Sequence, residues 1–173
     1  MSDPPEVWLR GPVAGISPML QPVAHSLLQS GEEVRRYLSD LTAAQIWTRP
    51  GGAAPVGFHV RHAAGSLDRL FTYARGEPLS SAQMAQFRSE SIDDIALDAL
   101  TLLDIFETAA ARALDQLRST DPAVLLDGRG VGRAQLPSTV LGLLFHAAEH
   151  TQRHLGQMIT TRLAVLGERP GIR

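Results

Sequence analysis

Apolar residues recur at helical spacing along four long stretches of this chain, and this pattern limits the fold more than any other feature. Residues three and four positions apart lie on one face of an α-helix, whereas a half-buried strand would show strict alternation. No alternating strand pattern and no internal repeat is present. The pattern therefore predicts an all-α fold, an antiparallel four-helix bundle.

The predicted helices have recognisable ends. They span residues 22–40, 56–75, 91–117 and 138–166. A cap-then-proline pair at Ser17 precedes the first, a glycine at Gly76 follows the second, and a capping box at 91–94 opens the third. A further capping box at 42–45 predicts a short helical turn between the first two helices.

A chain of 173 residues is expected to form one domain, with the helical bundle over residues 17–166. The segments outside the long helices are an extended amino-terminal arm (1–16), a polar connector (77–90), a long Gly/Pro-rich loop (119–137) and a tail (167–173). Within the long loop, residues 124–126 are predicted to form a short extended piece.

Composition excludes several classes of chemistry. The chain has no cysteine, which excludes disulfides, thiolate metal ligands and a cysteine nucleophile. All 16 basic residues are arginine, which excludes a Schiff-base lysine. The net charge is −2 with the signs interspersed, so we expect no nucleic-acid partner.

The amino-terminal residues show no basic region followed by an apolar core, so no signal peptide is expected. No apolar run approaches the roughly 20 residues that cross a bilayer, so no membrane partner is expected either. The predicted location is cytoplasmic.

Histidines fall on the predicted helices in a pattern that suits a metal ion. All six lie on three helices: His25, His59, His62, His146, His150 and His154. The last three follow one another at steps of four, which places their rings nearly in line on one helix face. Imidazoles on an apolar helix need polar partners, and a divalent cation is the partner that suits neutral rings best.

The residues alone leave several assignments open. His25 is a lone histidine at the edge of an apolar face, and spacing does not choose between His59 and His62 as the inward-facing ring. Asp68 and Glu149 are candidate acceptors for the N–H of a ligating imidazole. Since three rings at successive steps of four rarely all reach one ion, His146 is a weaker candidate than the two histidines that follow it.

Two other motifs have simpler interpretations. Residues 146–150 fit H-x-x-E-H, but inverted zinc proteases need a further carboxylate ligand far downstream in a larger fold. The glycine-rich segment 128–133 matches neither phosphate-binding pattern and predicts a tight turn. Within that segment, Arg129 or Arg133 could reach an anionic substrate.

Two stretches resemble the DinB/YfiT-like superfamily. The sequence FHVRHAAGSLDRL at 58–70, after RPGG at 49–52, is similar to its second-helix motif. The sequence FHAAEHTQRHLGQ at 145–157 resembles its last-helix signature, which ends in His-x-Gly-Gln. With helix number and spacing, the resemblance covers most of residues 17–166.

The resemblance implies a four-helix bundle with one divalent metal ion held by three histidines. Transferred to this sequence, the ligands are His62, His150 and His154, and His146 matches a position often occupied without being a primary ligand. Members are often dimeric, so a homodimer is expected. Several members use a low-molecular-weight thiol as cosubstrate, and others are assigned only as metal-dependent hydrolases.

From residues and resemblance together, the first hypothesis is a metal-dependent thiol S-transferase or hydrolase that acts on an electrophilic small molecule. Zn, Ni, Mn and Fe all accept imidazole, so the metal stays open. The alternative is a non-catalytic bundle that binds a metal or ligand in a stress response. A third hypothesis, a structural dimer whose histidines merely pack, is disfavoured by the distribution of the histidines.

Overall fold

The computed structural model describes residues 4–167. Its helices and strands are α1 (Gln21–Leu38), α2 (Ala43–Ile46), α3 (Val56–Ala74), α4 (Ser81–Ser89), α5 (Ala99–Ser119), β1 (Gly128–Val131), β2 (Leu136–Thr139) and α6 (Val140–Leu166). The four long helices form a four-helix bundle, which confirms the predicted fold class.

The bundle is arranged around the pairing of α3 with α6. α3 packs against α6 and α5, and α1 packs against the same two helices from the opposite side. Leu27, Leu67, Phe106 and Leu144, one from each long helix, are fully buried at the centre. Because successive long helices α1 and α3 both lie between α5 and α6, histidines distant in sequence meet on α3 and α6.

The predicted ends of most helices are confirmed to within about two residues. Gly76 follows α3 with a φ of 77°, a left-handed conformation that a glycine adopts without strain. The capping box at the start of α2 forms with both of its hydrogen bonds, between Thr42 and Gln45. A 3-10 turn (Pro18–Leu20) leads into α1, as the proline after Ser17 suggested.

The connector predicted for 77–90 is wrong in part, because it contains α4. Ser80 and Gln83 form a capping box that starts this helix. The sequence analysis passed over that signal because the segment is polar and no residue of α4 is buried. Helix α4 lies against α3, and it places Glu90 directly after its last residue.

The third long helix starts later than predicted, at Ala99 rather than near 91. Its cap is Asp98, whose side chain accepts from the Thr101 N–H. Side chains from elsewhere hold the preceding segment in a turn: Arg61 donates to the Ile92 carbonyl and the Trp47 indole donates to the Leu97 carbonyl. Those carbonyls are therefore engaged outside a helix.

The loop 119–137 also differs from its prediction. Residues 122–124 form a 3-10 turn in place of the extended piece expected at 124–126. The glycine-rich segment instead forms the antiparallel hairpin of β1 and β2, in register from Gly128 opposite Thr139 to Val131 opposite Leu136. Helical periodicity could not indicate this hairpin, since it is short and contributes little to the core.

The amino-terminal arm is not fully extended. It contains a 3-10 turn (Val7–Leu9), and Val7 is buried with its N–H donating to Gln29. Residues 168–173 of the predicted tail and residues 1–3 of the arm lie outside the described residues. Across positions 4–167, no helix combines the length and apolar character needed to cross a membrane.

Candidate metal centre

Antiparallel packing of α3 on α6 brings histidines of the two helices face to face. The Nε2 atoms of His62 and His150 are 3.0 Å apart, and the Nδ1 atoms of His59 and His154 are 3.1 Å apart. One helix rises as the other descends, so residues three apart on α3 meet residues four apart on α6. Periodicity did not choose between His59 and His62, and the structure places both in the cluster.

Three of these histidines converge on one point. His62, His150 and His154 each offer one ring nitrogen, and the three nitrogens lie within 4.8 Å of one another. The ring of His62 lies 4.4 Å from that of His154 and 5.2 Å from that of His150, measured between centroids. In residues 4–167 this is the only such group, and it contains no carboxylate.

Glu90 orients the His62 ring. The Nδ1 of His62 lies 2.8 Å from Glu90 Oε2, so an N–H at Nδ1 donates to the carboxylate and leaves the Nε2 lone pair free. A carboxylate in this position fixes the tautomer and the plane of a ligating imidazole. Sequence analysis did not identify Glu90, which follows a helix that it did not predict.

Arg69 holds Glu90 in turn. Its guanidinium contacts both carboxylate oxygens, at 2.5 and 3.1 Å, and Glu90 and Arg69 are only 2% and 8% exposed. Burial raises the pKa of Glu90, but the hydrogen bonds from His62 and Arg69 outweigh burial and bring that pKa below its usual value. The carboxylate is therefore charged at neutral pH.

The clustered imidazoles are neutral at physiological pH. Burial, together with the neighbouring His62 and His150, lowers the pKa of His154 to about 3. Burial also lowers the pKa of His150 and of His59. Neutral rings keep the lone pair that a metal ion requires, so the cluster is in its ligating form without having to lose protons.

The donor set fits a divalent transition metal ion. Two nitrogens of a tetrahedral zinc site at the usual bond length are about 3.3 Å apart, close to the 3.0 Å between His62 and His150. His150 Nδ1 is buried and has no hydrogen-bond partner among the described residues. An imidazole with one unpaired buried nitrogen gains most when its other nitrogen binds a cation.

The remaining sequence candidates lie at the edge of the cluster or away from it. His146 is half-exposed, with its ring 5.5 Å from that of His150 and its Nδ1 3.4 Å from Glu149. Glu149 is engaged by Arg153, and Asp68 accepts from Gln83. His25 contacts the Gly11 carbonyl on α1.

A cavity of about 560 Å³ opens beside the cluster. Its lining includes Phe58, His59, Arg153 and Gln157. The Phe58 ring stacks on His62 at 5.4 Å and meets His59 edge-on. The histidines therefore have both an apolar wall and an accessible side.

The approach of Glu90 depends on a glycine. A Cβ built on Gly65 would lie far inside van der Waals contact with Glu90 Oε1 and close to the Arg69 guanidinium. We expect Gly65→Ala to lower the free energy of unfolding by about 1–3 kcal/mol, as overpacking of a tight site does. Urea unfolding measures this change.

Gly31→Ala is the matched control for that substitution, since Gly31 also lies within a helix and a Cβ there meets nothing within 4 Å. We expect this control to raise stability by about 0.5–1 kcal/mol, because alanine favours helix. Equal effects of the two substitutions would show that Glu90 does not approach Gly65 this closely.

Stability of the metal-free protein should depend on pH through these histidines. His154 has a pKa of about 3 in the fold against 6.5 as its ordinary value, so between those values the unfolded chain binds more protons. Stability is therefore complete above about pH 6.5 and is lost progressively as pH falls. Urea midpoints between pH 7.5 and 4.5 measure this slope.

His154→Gln should flatten that dependence, since glutamine does not titrate. His25→Gln is its control, because His25 lies outside the cluster and contacts only the Gly11 carbonyl among the described residues. The same slope in His154→Gln as in the unsubstituted chain would contradict a neutral, buried His154.

Comparison with known proteins adds a family. The sequence model of the DinB superfamily matches residues 26–158. A comparison with curated proteins finds no match.

Solved structures share the fold at low sequence identity. A conserved protein from Enterococcus faecalis has a TM-score of 0.70 and 20% identity, over 86% of this chain and 98% of that one. A DinB-like protein from Bacillus cereus has a TM-score of 0.62 and 17% identity, over 85% and 95%. YfiT from Bacillus subtilis, described as a probable metal-dependent hydrolase with an unusual four-helix bundle topology, has a TM-score of 0.61 and 16% identity, over 92% and 94%.

Proposed function

Because this chain belongs to the DinB superfamily, we propose that it is a metal-dependent enzyme that acts on an electrophilic small molecule. In this proposal His62, His150 and His154 hold one divalent ion, which is Zn, Ni, Mn or Fe. The observation that carries the proposal is the convergence of three neutral ring nitrogens within 4.8 Å, with no carboxylate among them. A likeness to YfiT supports it.

The ligand set determines what chemistry is available. An ion held by three neutral imidazoles keeps its full charge, and it can lower the pKa of a water to about 7 or bind a thiolate. The chain has no cysteine, so a thiol would have to come from a small cosubstrate. The proposed reaction is therefore transfer of a low-molecular-weight thiol to the substrate, or hydrolysis.

Residues around the ligands would position the reaction. Glu90 and Arg69 keep the His62 ring in one plane, while His59 contacts His154 from the other side. Phe58 covers part of the cluster and excludes water from that face. The homodimer inferred from the resemblance remains a prediction.

A reconstitution experiment tests the proposal. Untagged protein is stripped with chelator and reloaded with each of the four metals. It is then assayed for conjugation of glutathione or cysteine to 1-chloro-2,4-dinitrobenzene, in which the sulfur displaces chloride, and for hydrolysis of 4-nitrophenyl acetate. We expect a rate above that of the metal-free protein with one metal, lost in His62→Ala and kept in His25→Ala.

Two results would count against an enzyme. Metal binding with no rate above the metal-free protein in either assay would favour the non-catalytic alternative. A rate equal in His62→Ala and the unsubstituted chain would place the chemistry outside the three-histidine group.

A further inference from the structure

The largest cavity lies at the other end of α3 from His59. It measures about 790 Å³ and is bounded by α3, α4 and the β1–β2 hairpin. Most of its wall is apolar, formed by Leu70, Tyr73, Pro78, Leu79, Met84 and Phe87. A concave, largely apolar space of this size is typical of sites for small molecules.

The charges that line this cavity do not balance. Arg69 is neutralised by Glu90, and Glu77 accepts from Arg75. Arg133, exposed on the hairpin, has neither an ion pair nor a hydrogen bond within residues 4–167. One cation without a partner therefore stands beside an apolar wall.

The second arginine of the glycine-rich segment has a different role. Arg129 donates from Nε to the Ala74 carbonyl and from Nη1 to the Gly128 carbonyl, which attaches the hairpin to the end of α3. Of the two arginines that sequence analysis considered for an anionic substrate, only Arg133 lines the cavity.

The cavity is connected to the candidate metal centre by side chains. Ser66 and Arg69 line the cavity and lie one and two turns after His62 on the same face of α3. Arg69 also stacks over the Phe87 ring at 4.7 Å and holds the carboxylate that orients His62. A ligand against Phe87 would therefore lie next to the residues that position a proposed ligand of the metal.

We infer that this cavity binds a small molecule with an aromatic-sized apolar body and a carboxylate, the body against α3 and α4 and the carboxylate on Arg133. In identifying this ligand as the substrate, the inference rests on the proposed function. The binding itself does not, because none of the three histidines is among the residues that line the cavity.

The test measures binding of 2-naphthoate and of its neutral analogue 2-naphthamide by ligand-observed NMR titration, with the full chain in metal-free form. We expect 2-naphthoate to bind, and Arg133→Glu to weaken it about tenfold, as loss of about 1.4 kcal/mol would. Binding of 2-naphthamide should change little. Arg88→Glu is the matched control, since Arg88 is an exposed arginine on α4 that does not line the cavity.

A second pair of variants tests the apolar wall. Phe87→Ala should weaken both probes, whereas Phe145→Ala should weaken neither, since Phe145 is exposed but does not line the cavity. Failure of both probes to bind the unsubstituted chain would overturn the inference. So would equal effects of the two charge reversals, which would indicate only a response to net charge.

Failure of the proposed function would give a different result. Because the titration uses metal-free protein, a chain that binds 2-naphthoate through Arg133 but has no metal-dependent rate would retain this site and lose the proposed enzyme. A chain with a metal-dependent rate and no probe binding would do the reverse.

Discussion

Untagged protein carrying both His150→Ala and His154→Ala is expected to bind no divalent transition metal, whereas the unsubstituted chain binds one equivalent. These residues supply two of the three nitrogens that converge within 4.8 Å. With two ligands removed, His62 alone cannot hold an ion against buffer and water. Elemental analysis after reloading and desalting measures the content directly.

The same loss should appear in stability. An ion present at 1,000 times its dissociation constant raises the free energy of unfolding by about 4 kcal/mol. That increment should be present in the unsubstituted chain and absent from the double variant. Thermal or urea unfolding with and without metal measures it.

His25→Ala is the control for both measurements, because it removes an imidazole outside the cluster. It should retain one equivalent of metal and the full increment. No metal in the unsubstituted chain, after incubation with each of Zn, Ni, Mn and Fe, would contradict the proposed centre. The histidines would then be polar packing within a bundle.

Glu90→Gln is expected to reduce both stability and metal affinity. The substitution keeps the shape of the side chain but leaves the Arg69 guanidinium, which is 8% exposed, without its counter-charge. Loss of one partner from a buried ion pair costs about 3–5 kcal/mol. Loss of the charged acceptor on His62 should weaken metal binding by about tenfold to hundredfold.

A double variant separates these two effects. Arg69→Met combined with Glu90→Leu removes both charges and leaves none unpaired, so most of the lost stability should return. Metal affinity should stay low, because His62 Nδ1 would still lack its acceptor. If affinity returned with stability, Glu90 would act only through the integrity of the fold.

Glu149→Gln is the matched control for Glu90. Its carboxylate pairs with Arg153 on the exposed surface of α6 rather than with a buried arginine. Exposed pairs of this kind contribute about 0–1 kcal/mol. A loss as large in Glu149→Gln as in Glu90→Gln would contradict the role assigned to the buried carboxylate.

The sequence by itself determined the elements whose signals are local. Helical periodicity predicted α1, α3 and α6, since the apolar face of a helix is written in residues three and four apart. The capping box at Thr42 formed as expected because its two hydrogen bonds join residues three apart. The step of four between His150 and His154 likewise places both rings on one helix face.

Tertiary contacts decided what local signals could not. The segment 91–98 carries a capping box but stays outside a helix, because Arg61 and Trp47 bind the carbonyls of Ile92 and Leu97. The donors for these bonds lie more than 30 residues away in sequence. No pattern within the segment itself could indicate that outcome.

The candidate site divides in the same way. Residue type and helical spacing identify the histidines of α6, but only the antiparallel approach of α3 brings His62 to His150 and His59 to His154. Glu90 is a single carboxylate in a polar segment, and its burial against Arg69 and His62 depends on α4 packing on α3. The sequence determines which face of each helix carries the chemistry, whereas the packing of the helices decides which faces meet, because that choice depends on the burial of apolar surface over the whole chain.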